Sequence, residues 1–216
     1  MTTSQRMPPL PPEAWTDEMR TLFTMLEGPD AYQTGSKSNV ILTLARNPKL
    51  AGAYFKLNTA LLMRGAIPAP LRELMILRVA WLHRAAYEWA QHVRVSLMPD
   101  ALSKEATEAF RRGEKLVEAG PGLLSRAQID AVKQGPDHPI WSDVERLLIS
   151  AVDELKRDSR IGDATWSALG QHFVEEQLIE LVFIIGSYSM LAMAMNTFDI
   201  EPEPAQREFL EPHFER

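Results

Sequence analysis

The amino-acid sequence predicts an all-α protein built as one domain. Apolar residues recur at intervals of three and four along most of the chain, which is the period of one face of an α-helix. Alternating apolar runs are few, and no Asn-Gly or Asp-Gly pair marks a tight hairpin. A length of 216 residues fits one domain, or two half-size units that share one core. We therefore treat residues 1–216 as a single helical domain.

The helical pattern divides the chain into segments separated by Gly- and Pro-rich stretches. The predicted helices cover residues 13–26, 39–46, 48–63, 71–97, 103–119, 142–156, 163–169 and 174–199. The remaining segments are a Pro-rich extended arm at 1–12, loops at 28–38, 120–122 and 135–139, and a terminal arm at 201–216. Ser142 and Glu145 have the spacing of a capping box, which marks the start of their helix.

Two helical segments bear on the architecture. Segment 71–97 has a weak signal for a break near His83-Arg84. Residues 178–198 form the most apolar stretch of the chain, but Glu180, Gly186 and Asn196 interrupt it. We predict a buried helix or a helical hairpin there and no membrane span, which needs about 20 consecutive apolar residues.

An internal repeat relates these two segments. Residues 71–74 read Leu-Arg-Glu-Leu and residues 178–181 read Leu-Ile-Glu-Leu, at an offset of 107. The apolar pattern continues beyond these residues, but the polar residues of the first copy have apolar or unrelated counterparts in the second. We predict a duplicated helical unit, with residues 39–119 carrying the chemistry and residues 140–200 forming a degenerate packing copy. Chance similarity between two buried helices is the alternative.

Composition excludes several classes of function. The chain has no cysteine, so disulfides, thiolate metal sites and thiol nucleophiles are impossible. The net charge of -6 gives no attraction to nucleic acid or to an anionic membrane surface. Residues 1–12 lack the apolar core of a signal peptide. We expect a cytoplasmic protein without a nucleic-acid or membrane partner.

The run Tyr87-Glu88-Trp89-Ala90-Gln91-His92 carries the candidate chemistry. Glu88 and His92 are four residues apart, so on a helix they share a face with their Cβ atoms about 5–6 Å apart. A carboxylate beside an imidazole fixes its tautomer and gives an acid/base pair. Tyr87 adds a hydroxyl, and Glu73 adds a second carboxylate if the chain turns back near His83-Arg84. An unbroken helix would separate the two glutamates by about 22 Å.

Each of these residues also has a purely structural interpretation. A Glu/His pair at this spacing is common on solvated helix faces. Arg78 lies on an apolar stripe and needs a partner, which is either a substrate carboxylate or Glu73 or Glu88. Trp81 and Trp89 are either core residues or platforms for a ligand. With one histidine in the cluster we expect no metal site, and the chemistry requires no organic cofactor.

The sequence resembles a known family at these residues. Residues 70–80, which read Pro-Leu-Arg-Glu-Leu-Met-Ile-Leu-Arg-Val-Ala, and the Tyr-Glu-Trp-x-x-His run after them resemble the carboxymuconolactone decarboxylase family. This superfamily includes the alkylhydroperoxidase D-like proteins, and the resemblance extends over about residues 39–204. It implies an alkylhydroperoxidase D-like helical bundle that assembles as a homo-oligomer.

The resemblance also assigns roles. The family's upstream glutamate and its histidine match Glu73 and His92. In the peroxidase branch a Cys-x-x-Cys pair precedes the histidine, and here Ala85 and Glu88 stand at those positions. The resemblance therefore implies that the proton-handling groups are kept and the redox groups are absent.

We expect an acid/base enzyme of the decarboxylase, lyase or isomerase type that acts on a small organic acid or lactone. The expected catalytic roles are His92 as general acid/base, Glu88 as its orienting carboxylate, Glu73 as a second proton carrier and Tyr87 as a hydroxyl donor. Arg78 and Trp81 are the candidate substrate contacts. The alternatives are a non-catalytic helical binding or assembly module and, against the missing cysteines, a peroxidase. A cavity that reaches both Glu88 and His92 would favour the enzyme.

Overall fold

The computed structural model describes residues 5–98 and 122–214. This part of the chain is helical and contains no β-strand. The α-helices are α1 Asp17–Glu27, α2 Ala31–Thr34, α3 Asn39–Leu44, α4 Pro48–Met63, α5 Ala69–His83, α6 Ala86–Leu97, α7 Arg126–Val132, α8 Asp143–Asp158, α9 Asp163–Leu169 and α10 Glu175–Phe198. Short 3₁₀ helices cover Pro12–Ala14, Pro204–Phe209 and Pro212–Phe214. The predicted all-α class is confirmed.

Helix α5 lies at the centre of the bundle. Residues 72–80 are buried without interruption, because α6, α8 and α10 all pack against this helix. Met75, Ile76 and Val79 belong to the core formed with α8 and α10. Leu74 and Leu77 belong to a second core, formed with α6 and α7. A polar side chain on α5 is therefore held between two packed cores, away from bulk water.

The chain breaks between α5 and α6 at the place that the sequence indicated. Arg84 adopts the left-handed conformation, with φ 54° and ψ 41°, and its N–H closes the last turn of α5. The Asn196 side chain of α10 donates a hydrogen bond of 2.8 Å to the carbonyl of His83, which satisfies one of the carbonyls left open at the helix end. Helix α6 starts two residues later and returns along α5.

Helix α10 is one continuous helix and not a hairpin. By length and composition alone it would be able to cross a membrane. Core helices of globular proteins share those features, and 44% of its most apolar window is buried here. Leu181 and Ile184 are fully buried against the core that includes α5.

Several boundaries differ from the predictions. Helix α1 begins at Asp17 because the Thr16 side chain caps its first turn. The predicted loop 28–38 contains the short helix α2. Helix α7 was missed, although Ser125 and Gln128 form a capping box at its start. The capping box at Ser142 is confirmed. The predicted helix 103–119 lies outside the described residues.

The two terminal segments pack on the bundle. The Met7 N–H donates to the carbonyl of Phe198 at 3.1 Å, which ties the N-terminal arm to the end of α10. The C-terminal segment was predicted as an arm, but Glu203 and Gln206 are only 7% and 1% exposed. Their polar side chains enter the bundle next to α6, so this segment forms part of the wall of a cavity.

Candidate active site

A buried hydrogen bond joins helix α5, which carries Glu73, to helix α6, which carries His92. His92 Nδ1 lies 2.6 Å from Glu73 Oε2, and the two side chains are 8% and 0% exposed. Because a carboxylate accepts, Nδ1–H donates, and the second ring nitrogen, Nε2, is left for chemistry. The other Glu73 oxygen accepts from Arg72 Nε at 3.4 Å. The turn at Arg84 therefore brings Glu73 and His92 together across nineteen positions of sequence.

A cavity of about 280 Å³ adjoins His92. Helices α3, α4, α6 and α10 and the C-terminal segment form its walls. The apolar lining consists of Val40, Ile41, Phe55, Leu62, Val95, Leu191 and Met195. The polar lining consists of Glu27, Lys37, Ser38, Asn58, Tyr87, Glu88, Gln91, His92, Arg94, Tyr188, Glu203 and Gln206. Polar residues outnumber apolar ones in the lining, but most of the surface that faces the cavity is apolar. An apolar surface with convergent polar groups is typical of a small-molecule site.

Glu88 lines this cavity, and its carboxyl group has a different environment from that of Glu73. It is 2% exposed, and within the described part of the chain neither of its oxygens has a hydrogen-bond partner. Burial raises the pKa of the Glu88 carboxyl well above its ordinary value. Burial therefore favours the protonated, neutral form of the Glu88 carboxyl, which can donate a hydrogen bond. The expectation that Glu88 orients His92 was wrong, because Glu73 makes that contact.

Tyr87 belongs to a polar cluster at the wall of the cavity. Its hydroxyl donates to Glu203 Oε1 at 2.7 Å and lies 3.1 Å from Ser38 Oγ. The Asn39 N–H donates to the same Glu203 oxygen at 2.6 Å. Burial raises the pKa of Tyr87 well above its ordinary range and also raises the pKa of Glu203. The Tyr87 hydroxyl is thus directed towards Glu203, which fixes the C-terminal segment against α3 and α6.

Helix α10 contributes an aromatic wall that the sequence analysis missed. The Tyr188 ring packs edge-on against His92 with ring centroids 5.0 Å apart. Burial, reinforced by the nearby Glu73 charge, raises the pKa of Tyr188 well above its ordinary range. At the repeat offset of 107, Tyr188 is the counterpart of Trp81, and this alignment gives no reason to place it beside the histidine. Glu203 and Gln206 were missed because a Pro-rich tail has no periodicity that would place its side chains.

The structure places the two candidate substrate contacts elsewhere. Arg78 makes a two-pronged ion pair with Asp153, with Nε–Oδ1 and Nη2–Oδ2 distances of 2.7 and 2.8 Å. It also donates to the carbonyl of Val132 at 2.7 Å. Neither Glu73 nor Glu88 is its partner, and it does not line the cavity. The predicted substrate role of Arg78 was therefore wrong, since its charge is used to join α5 to α7 and α8.

Trp81 is also a packing residue and not a ligand platform. Its ring centroid lies 5.4 Å from that of Trp89 and 5.6 Å from that of Phe214. This aromatic cluster lies outside the cavity. Over residues 5–98 and 122–214, no group of three or more His, Asp or Glu side chains is arranged to hold a metal ion.

Comparison with known structures defines the class of fold. An alkylhydroperoxidase D core protein of Ralstonia eutropha JMP134, described as an uncharacterised peroxidase-related protein, matches 97% of this chain over 96% of its own length, with a TM-score of 0.64 and 19% identity. A variant of the debrominase Bmp8 in complex with 2,3,4-tribromopyrrole matches 97% of both chains, with a TM-score of 0.66 and 18% identity. A peroxidase-related protein of Silicibacter sp. TM1040 covers 94% and 96%, with a TM-score of 0.63 and 16% identity. The chain has the alkylhydroperoxidase D-like helical fold.

The sequence of one segment defines the family. Residues 48–120 match the carboxymuconolactone decarboxylase family. The matched segment contains Glu73, Glu88 and His92, and it confirms the predicted family resemblance for these residues. No curated protein matches the chain.

Proposed function

We propose that this protein is an acid/base enzyme of the decarboxylase, lyase or isomerase type that acts on a small organic acid or lactone. The observation that carries the proposal is the pairing of two different proton-handling groups in one cavity. His92 has its Nδ1 held by Glu73, and Glu88 lines the same cavity in a buried position that favours its protonated form. A non-catalytic module would not need an unpartnered carboxyl group facing an apolar cavity, since burying one is costly.

Three side chains account for a complete proton transfer. His92 Nε2 would remove a proton from the carbon next to the substrate carbonyl, or return one to that carbon after loss of CO₂. Glu73 balances the positive charge of the imidazolium and keeps the ring in place. The neutral Glu88 carboxyl would donate a hydrogen bond to the carbonyl oxygen as negative charge develops there. A carboxylic acid held neutral by an apolar site is suited to that role.

The shape and charge of the cavity support a small substrate. Its volume of about 280 Å³ and its apolar walls fit a compact molecule with a single ring or a short chain. The debrominase of the same fold binds a tribrominated pyrrole, a ligand of that size. Lys37 and Arg94 line the cavity and replace Arg78 as candidates to attract a substrate carboxylate.

Thiol-dependent peroxide reduction is not supported, although several proteins of this fold have peroxidase-related names. The chain has no cysteine, and the two positions of the family's thiol pair hold Ala85 and Glu88. We propose that the protein is a cytoplasmic homo-oligomer.

A hydrogen-exchange screen tests the proposal without knowledge of the net reaction. Panels of lactones, 2-oxo acids and unsaturated carboxylic acids would be incubated with protein in D₂O and followed by NMR, with CO₂ release measured in parallel. We expect deuterium incorporation next to the carbonyl of at least one compound, and its loss in His92→Ala. Exchange that persists in His92→Ala, or dithiol-dependent turnover of an alkyl hydroperoxide above a boiled control, would contradict the proposal.

A further inference from the structure

The outer face of α10 carries a continuous apolar seam. Its large side chains are Ile179, Val182, Phe183, Met190 and Met193, with exposed fractions of 62, 37, 54, 48 and 55%. Positions 179, 183, 186, 190 and 193 follow alternating steps of four and three, which is the spacing of a helix that packs lengthwise against another helix. The opposite face of the same helix is already buried in the core. The seam is therefore a second apolar face of α10, opposite the face that packs in the core.

Gly186 lies at the midpoint of the seam, seven residues from Ile179 and seven from Met193. A Cβ atom built there would meet nothing within 4 Å among the described residues. Packing inside the protomer therefore gives no reason for glycine, which weakens a helix by about 1 kcal/mol relative to alanine. A glycine at the centre of an apolar helix face instead allows a second helix backbone to approach closely.

We propose that α10 pairs with α10 of a second copy of this chain, antiparallel and about a two-fold axis at Gly186. In that arrangement Ile179 of each copy meets Met193 of the other, and the two Gly186 backbones cross. The surface is self-complementary, as a two-fold interface requires. The inference concerns only this outer face and does not depend on the chemistry of the site.

The charge of Glu175 and the exposed apolar area of the seam favour an antiparallel second copy of the chain on this face. Glu175 lies on the seam at its N-terminal end, and a parallel pair would place the two Glu175 carboxylates against each other. The antiparallel pair places Glu175 against Thr197 and opposes the helix dipoles favourably. With roughly 150–200 Å² for a fully exposed large side chain, the five apolar residues expose about 450 Å². A standard interface buries about 800 Å² per partner and is a little over half apolar, so the seam supplies the apolar share of one dimer contact.

The absence of cysteine makes single-cysteine cross-linking a clean test. Gly186→Cys should form a disulfide-linked dimer under mild oxidation, because the two-fold axis places each residue 186 beside its own copy. Ile179→Cys alone and Met193→Cys alone should stay monomeric on a denaturing gel. A mixture of the two should give the cross-linked heterodimer. Cross-linking of Ile179→Cys with itself would show a parallel pair and overturn the proposal, because the antiparallel arrangement separates the two copies of residue 179 by about 21 Å.

Sedimentation equilibrium gives the second readout with the full chain. The wild type should be a dimer or larger at micromolar concentration. Phe183→Glu should raise the dissociation constant of the α10 contact at least tenfold, and Trp166→Glu, a matched exposed aromatic on α9, should not. A monomeric wild type, or a Phe183→Glu variant that assembles as the wild type does, would overturn the proposal. A monomeric wild type that co-sediments with phosphatidylcholine/phosphatidylglycerol vesicles through Phe183 would assign the seam to a membrane instead.

Discussion

The two segments related by the 107-residue offset make opposite use of one apolar pattern. The first segment is broken at Arg84 into α5 and α6, and its polar residues are buried inside the bundle. The second segment is the unbroken helix α10, which buries one apolar face and leaves the other exposed. The counterparts of Glu73 and His92 in the second segment are Glu180 and Asp199. A straight helix holds these two residues far apart along its axis. The break at Arg84 therefore allows the first segment to form a site between α5 and α6, whereas the unbroken second segment contributes packing.

The aligned glutamates show the same contrast. Glu73 is fully buried and holds the imidazole of His92. Glu180, its counterpart, accepts from the N–H groups of Ala66 and Ile67 at 2.6 and 3.1 Å and thereby fixes the loop that leads into α5. One carboxylate orients a reactive group, and the other completes a turn. Replacing each in turn should therefore separate loss of activity from loss of stability.

The largest effect is expected at the His92–Glu73 pair. His92→Ala removes the acid/base group and should lower kcat by about 10²–10⁴-fold on the substrate found by the exchange screen. Glu73→Gln should also lower kcat, because the amide fixes the wrong tautomer of the ring. The double variant should be hardly worse than either single one, since the two residues act as a unit. Steady-state kinetics measure these effects.

The matched control for the first prediction is His172→Ala, because His172 is exposed and lies outside the cavity. Its kcat should equal that of the wild type. Circular dichroism and urea unfolding should show the folded state in all four variants. A His92→Ala protein that is unfolded would make His92 a structural residue and remove the basis of the comparison.

The next largest effect is the loss of stability expected on replacing Arg78. This replacement tests whether Arg78 has a structural role or the predicted role in substrate binding. Arg78→Met leaves Asp153 and the Val132 carbonyl without their shared partner, and it should lower the free energy of unfolding by about 3 kcal/mol. KM should stay at the wild-type value. Arg157→Met, which removes an exposed ion pair with Asp158, should change neither quantity. A large rise in KM with unchanged stability would restore Arg78 to the site.

A smaller effect is expected at Glu180. Glu180→Ala leaves the N–H groups of Ala66 and Ile67 without their carboxylate and should cost about 2 kcal/mol of unfolding free energy. Activity per folded molecule should be retained, in contrast to Glu73→Gln. Glu176→Ala in the first turn of the same helix, where the side chain is exposed, is the control. Equal losses of kcat at positions 73 and 180 would show that the two glutamates do not have separate roles.

The sequence predicted the parts of the site that local patterns encode. The helical class, the break near Arg84 and the approach of Glu73 to His92 follow from periodicity and from the family motif. The partner of His92 was predicted wrongly, because Glu88 at four residues and Glu73 across a turn both satisfy the geometry and the nearer glutamate was chosen. Both side chains are buried, and the packing of α6 against α5 decides between them: it places Glu73 against His92 Nδ1 and leaves the Glu88 oxygens without a hydrogen-bond partner among the described residues.

Long-range pairings were outside the reach of sequence patterns. Asp153, which binds Arg78, lies 75 residues away on a different helix. Glu203, which accepts from Tyr87, lies 116 residues away in a tail that looked like a free arm. Local propensity determines where a helix begins and ends, but the packing of distant elements determines which charges meet.

The last prediction, and the most diagnostic of a protonated Glu88, is the pH dependence that Glu88 imposes on stability. Its pKa in the folded protein lies well above the ordinary value of 4.5. Below pH 4.5 the carboxyl is protonated in both states and has no pH-dependent effect. Above pH 4.5 only the unfolded state releases the proton, so the free energy of unfolding falls by up to about 1.4 kcal/mol per pH unit until the folded pKa is reached.

Glu88→Gln cannot titrate and should not show this loss. The free energy of unfolding, measured with urea between pH 4 and 8, should change with pH in the same way for the two proteins at the acid end. As the pH rises, Glu88→Gln should become increasingly more stable than the wild type. The exposed Glu18→Gln variant should follow the wild-type curve. A constant difference across this range would mean that Glu88 is ionised in the folded protein. The hydrogen bond to a developing oxyanion would then have to come from another group, and the proposed division of roles between Glu73 and Glu88 would fail.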